Sequence, residues 1–128
     1  MRWQGQPTDR TCGQTCVAMI LGLRVYEVVE LLGDRATWPR DLAGYLAARG
    51  CVVGDRLVRL YGAEPPVPLA ILRVAWDERG RRVGHWVVWC EGRVLDPSDQ
   101  SVRSLDDLRY GRVTSYLSVQ RPVPGQRV

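Results

Sequence analysis

Apolar and polar positions divide the chain into a helical first half and a strand-rich second half. From Cys12 to about Leu23, Val17-Ala18-Met19-Ile20-Leu21 places apolar residues on nearly every side of a helix, and a helix hydrophobic all round is a buried one. The polar stretch Pro7, Thr8, Asp9 and Thr11 ahead of it suits a helix start, so Cys12 falls at the N-terminus of a central buried helix. A second helix is expected over Tyr26–Leu32, stopped by Gly33. A third is expected over Pro39–Arg49, with Pro39 in its first turn, Leu42 and Leu46 on one face and Gly50 closing it.

Pro65-Pro66-Val67-Pro68 opens the strand-rich half. Strands are expected over Leu69–Trp76 and Val83–Cys90, joined by a polar turn Asp77-Glu78-Arg79-Gly80; Glu91-Gly92 then returns the chain through Arg93–Asp96. Ser104 with Asp107 forms the N-cap pair of a short helix, Val113–Val119 reads as a last strand, and the tail from Arg121 is expected to be loose. Helices first and antiparallel strands afterwards predict an α+β fold, one domain over residues 1–120 with a tail at 121–128. The length of 128 residues suits a single core of helices on a sheet.

Composition removes several chemistries. All 18 basic residues are Arg, and Lys, Asn and Phe are absent. Without Lys there is no P-loop, no Schiff-base lysine and no Ser–Lys dyad. With a single His, multi-histidine metal sites are also excluded. The net charge of +4 is spread along the chain among acidic neighbours, which predicts a mixed-charge solvated surface and no nucleic-acid partner. No apolar run reaches the ~20 residues of a membrane span, and Met1–Gln6 lacks an apolar signal region. The expectation is an unprocessed, cytoplasmic monomer.

Two residues then stand out. A thiol attacks only as thiolate, and a helix N-terminus stabilises that charge; the bland reading of Cys12 is a small buried hydrophobe. His85 is the one imidazole available as a base. In His85-Trp86-Val87-Val88-Trp89-Cys90, alternation sends His85, Val87 and Trp89 to one face; a lone strand histidine is by default structural. A two-residue loop Glu91-Gly92 sets Val87 opposite Asp96 and His85 opposite Ser98. Asp96 then shares the face of His85 at a diagonal, roughly 7–8 Å away at the backbone, where an acid can orient an imidazole. A three-residue loop would flip Asp96 to the other face, and Asp96-Pro97-Ser98-Asp99 also reads simply as a polar turn.

The ordered set resembles a family. Gln6 precedes Cys12-Gly13 by six positions, an apolar helix follows, His85 leads an aromatic and two valines, and Leu95-Asp96-Pro97 ends the next strand. From Gln6 to about Val119 the chain resembles the peptidases that remove double-glycine leaders from bacteriocin precursors, a branch of the papain-like cysteine proteases. The resemblance implies a papain-like fold with Cys12 as nucleophile and His85 as base. It implies Asp96 as orienting group, in the slot many such enzymes give to Asn, and Gln6 with the Cys12 N–H as oxyanion hole. A peptide or protein would be the substrate, with small residues such as Gly-Gly before the cut, and no cofactor. Thr11 departs from the acidic residue common before the nucleophile. Gln4 is near, but its spacing matches less well.

Competing readings use the same residues. A papain-like domain that only binds, or a thiol amidase or acyltransferase, would keep this set. Cys12, Cys16, His85 and Cys90 make an acceptable zinc set by type, but on an apolar helix and strand rather than knuckles, with Cys90 pointing away from His85. A Cys12–Cys16 disulfide within one helix is poorly placed, and Cys16, Cys51 and Cys90 read as buried small residues.

Overall fold

A computed structural model describes residues 1–122; most of the tail expected to be loose lies outside that range. Three helices, α1 (Cys12–Leu21), α2 (Val25–Leu32) and α3 (Pro39–Ala48), precede six strands. These are β1 (Val52–Val53), β2 (Val58–Arg59), β3 (Leu69–Glu78), β4 (Arg81–Cys90), β5 (Arg93–Leu95) and β6 (Arg112–Gln120), with a 3₁₀ turn at Leu105–Asp107. The sheet order is β1-β6-β3-β4-β5, with β2 also paired to β6, and every pairing is antiparallel. The α+β class expected from the sequence is the one observed, and no helix among the described residues is long and apolar enough to cross a membrane.

Helix α1 forms where the all-round apolar pattern places it, with every residue from Cys12 to Ile20 buried. It ends at Leu21 rather than Leu23, because Gly22 takes the left-handed conformation (φ 68°) that closes a helix end. Likewise α3 stops at Ala48, one residue short of expectation. The 3₁₀ turn starts at the expected pair, with the Asp107 carboxylate accepting from the Ser104 N–H at 3.1 Å.

The β3–β4 hairpin is longer than expected. Its strands run on to Glu78 and from Arg81, leaving only Arg79-Gly80 as the turn. Both turn residues have positive φ, 51° and 77°, the pattern of a tight two-residue hairpin turn. The sequence carries no signal for this extension, because the hairpin tip is exposed on both faces and lacks apolar alternation. Strands β1 and β2 were not expected at all; each is two residues long, too short to show a period.

The core also differs from the single one expected. One apolar cluster joins α1 and α3 to Ile71, Trp86, Val88, Cys90 and Leu117 on one face of the sheet. A second, made of Leu72, Val74, Val87, Trp89 and Tyr116, lies on the other face under Val94, Val102 and Leu108. His85 through Cys90 are therefore all buried, as both faces of β4 are covered.

Candidate functional site

The site begins at the start of α1. The Thr11 hydroxyl turns back, accepting the Thr8 N–H (3.1 Å) and donating to the Thr8 carbonyl (3.0 Å). Thr11 therefore makes no side-chain cap on α1, and the first N–H groups of the helix stay free for another acceptor. Cys12 sits there, 8% exposed. Gly13 must follow it: a Cβ at that position would stand 2.2 Å from Thr37 Oγ1 and 3.0 Å from Leu42 Cδ2.

Strand β4 brings the second group. β5 pairs only with Val88–Cys90, so the edge of β4 before Val88 is left open to α1. There the His85 ring and the Trp86 N–H both reach the Cys12 sulfur. The β4–β5 register is the expected one: Val88 faces Leu95 and Cys90 faces Arg93 across the Glu91-Gly92 turn. Asp96 accordingly falls beside His85, with His85 Nε2 2.8 Å from Asp96 Oδ1. An Nε2 hydrogen donated to the carboxylate leaves Nδ1 to face the thiol.

Asp96 is fully buried and its carboxylate is saturated with donors. Oδ1 also accepts from the Ser98 N–H (2.9 Å) and hydroxyl (2.7 Å), and Oδ2 accepts from the Tyr110 hydroxyl at 2.5 Å. One carboxylate thus closes the polar turn through Ser98 and holds the His85 ring. The main chain here is tied to the N-terminal segment: Trp3 Nε1 donates to the Asp96 carbonyl (2.7 Å) and the Gln6 N–H to the Pro97 carbonyl (2.9 Å).

Electrostatics follow from these contacts. Burial alone would raise the Cys12 thiol, but the hydrogen bond and charge of His85, with the N–H groups of Trp86 and Gly13, bring it below its ordinary value. Burial would push His85 down, yet Asp96 and Cys12 carry it up to about 9. Asp96 is held below the usual carboxylate range: burial opposes this, and the His85, Tyr110 and Ser98 hydrogen bonds outweigh it. Each shift favours the charged form, so the arrangement favours a thiolate beside an imidazolium. Cys16, one turn on and fully buried, is pushed well above the ordinary thiol value by burial and by the charges of Cys12 and Asp96.

Gln6 is less completely placed. Its backbone is anchored beside Asp96, and its Oε1 is buried without a partner among the described residues. No hydrogen bond joins its side chain to Cys12. Gln4, by contrast, is spent on structure: its amide donates to the Leu23 carbonyl (2.6 Å) and accepts the Val25 N–H (3.1 Å), tying the N-terminal segment to the connection between α1 and α2 and to the first residue of α2. The four cysteines are free thiols, and among the described residues no group of three His, Cys, Asp or Glu is arranged to hold a metal ion.

Two partners of the site were not foreseen. Ser98 had a local signal, since a side chain two residues after an Asp often meets it in a turn. Tyr110 had none: it lies 14 residues from Asp96, brought in by the loop before β6, where it packs edge-on against Trp76 and His85 with ring centroids 5.2 and 5.9 Å away. A cleft of about 670 Å³ lined by Arg59, Tyr61, Arg82 and Arg112 includes none of Cys12, His85 or Asp96. No protein-family model matches the chain, and no curated protein matches it in sequence.

Proposed function

We propose that the protein is a papain-like cysteine hydrolase that cleaves a peptide bond through a thioester on Cys12. The observation that carries the proposal is the buried series Cys12–His85–Asp96, in which a helix N-terminus, an imidazole and a carboxylate each stabilise the charge on the next. A structural thiol has no need of a base, and a base has no need of so completely satisfied a carboxylate.

The chemistry follows from the protonation states. The Cys12 thiolate adds to the scissile carbonyl, and the charge moves to the carbonyl oxygen. That oxyanion would be met by the Cys12 N–H, uncapped at the start of α1, and by the Gln6 amide. The imidazolium of His85 gives its Nδ1 proton to the leaving amine as the C–N bond breaks, which leaves a thioester and neutral His85. Water then adds to the thioester carbonyl, losing a proton to His85, and collapse releases the acid and restores the ion pair. Asp96 holds Nε2 throughout and fixes the ring plane. The resemblance to double-glycine leader peptidases favours small residues before the cut.

A glycine-containing peptide mixture analysed by mass spectrometry tests the proposal. Cleavage with a transient acyl adduct on Cys12, absent in Cys12→Ser, is expected. Adduct transfer to added amines without hydrolysis would instead favour the acyltransferase reading, and a folded protein that binds peptides but never acylates would favour a binding domain. Gln6→Ala is expected to lower turnover by ~10²–10³, the usual cost of one oxyanion donor, while leaving Cys12 open to alkylation. Equal loss of both would mean that Gln6 supports the fold instead.

A further inference from the structure

Arg73 is a half-buried cation beside the site. Among the described residues it takes part in none of the ion pairs, although the chain has acidic residues to spare. On β3 it lies opposite Trp86, and its guanidinium carbon stands 4.7 Å above the Trp86 ring centroid. The same group occupies the space over Gly84: a Cβ there would come within 2.0 Å of Arg73 Nη2. Arg73 is thus seated on the two residues that flank His85, and a side chain at position 84 would expel it.

Its placement follows from the strands. Ile71 and Arg73 alternate onto the same face as Trp86 and Val88, the face that carries α1. Ile71 is buried there; Arg73 is only partly covered. The pairing of β3 with β6 shifts register between Arg73 and Val74, and such irregularities re-aim side chains. Burial lowers the proton affinity of Arg73, and the Cys12 thiolate restores part of it, which sets the two groups within electrostatic reach of each other.

We propose that Arg73 is a substrate-recognition residue that binds a carboxylate next to the acyl group presented to Cys12. The inference rests on the cysteine-hydrolase reading and names its substrate class: acyl donors carrying a negative charge close to the scissile carbonyl. A planar guanidinium held flat on an indole keeps its edge free, and that edge matches a carboxylate through two parallel hydrogen bonds. The carboxylate comes either from an acidic side chain or from a chain terminus.

Paired alkylation tests this on the full-length protein. Iodoacetate and iodoacetamide differ only in carrying a carboxylate or a neutral amide, so their rate ratio at Cys12 reports an anion site and cancels changes in thiolate population. The wild type is expected to favour iodoacetate, and Arg73→Gln is expected to lower the ratio about ten-fold or more, the effect of one charge-assisted hydrogen bond. Arg73→Lys should recover only part of it, and added salt should reduce it. If Arg73→Gln, folded by circular dichroism, slows both reagents equally, Arg73 acts only through the fold or the general field and the proposal is overturned. If Cys12 reacts with neither reagent, the hydrolase reading itself falls, and this inference with it. Protection of Cys12 by a glycine peptide with a free C-terminus, or by an amidated one with an internal Asp, identifies the source of the carboxylate. Protection by neither, or protection that survives Arg73→Gln, also overturns the proposal.

Discussion

His85→Ala should lower turnover by ~10²–10⁴, the usual cost of losing the acid–base group proposed for it, and should move the Cys12 thiol upward. The direction follows from the balance at the sulfur. Burial, the largest influence on Cys12, raises its pKa; the two contributions of His85 are the main ones opposing it, and only the Trp86 and Gly13 N–H groups would remain. Without His85, burial acts with little opposition and the thiolate is disfavoured. The wild type should therefore react with a neutral alkylating agent across a pH range in which the variant does not. The low-pH end of that range is set by protonation of Cys12, and the high-pH end of the ion pair by deprotonation of His85 near 9. If His85→Ala kept the wild-type alkylation profile with its fold intact, His85 would not be the partner of Cys12.

Asp96→Ala should be the most destabilising single change at the site, yet less harmful to chemistry than His85→Ala. The carboxylate is wholly buried and accepts from His85, from the Ser98 N–H and hydroxyl, and from Tyr110. Removing it strands those donors, and breaking a buried charged pair costs ~3–5 kcal/mol. Chemical denaturation measures this loss directly. On the proposed roles Asp96 orients the base and does not itself transfer the proton, so the surviving folded protein should retain more turnover than His85→Ala. Asp96→Asn keeps an oxygen for Ser98 and His85, so it should recover most of the stability. It removes the charge, however, and His85 should then titrate lower than in the wild type. Greater loss of activity in folded Asp96→Ala than in His85→Ala would assign Asp96 a different role.

What could be read from the sequence depended on how local each cause was. The buried helix α1 and the β4–β5 hairpin were legible because a continuous apolar run and a Glu-Gly turn act over a few residues. That turn alone fixed the register that puts Asp96 beside His85. The end of α1 was misjudged because the left-handed Gly22 lies inside a stretch that remains apolar to Leu23. β1 and β2 were missed because they exist only through pairing with β6, far along the chain. The site shows the same division. Cys12 and His85 were singled out by position and scarcity, whereas Tyr110 and Arg73 matter through contacts across the sheet and the loop before β6. Thr11 is a related case: it was expected to help start the helix, and it does so by closing a turn with Thr8 while leaving the N–H groups uncapped.

The pH dependence of alkylation at each of the four thiols, read by mass spectrometry with limiting iodoacetamide, tests the nucleophile assignment most directly. Cys12 should react first, with a midpoint below 9.0, the ordinary thiol value from which it is lowered. Cys16 and Cys51, both raised by burial, should lag behind it. A Cys12 that stays inert until the protein unfolds, or that titrates above that value, would make it a core residue and leave the site without a nucleophile.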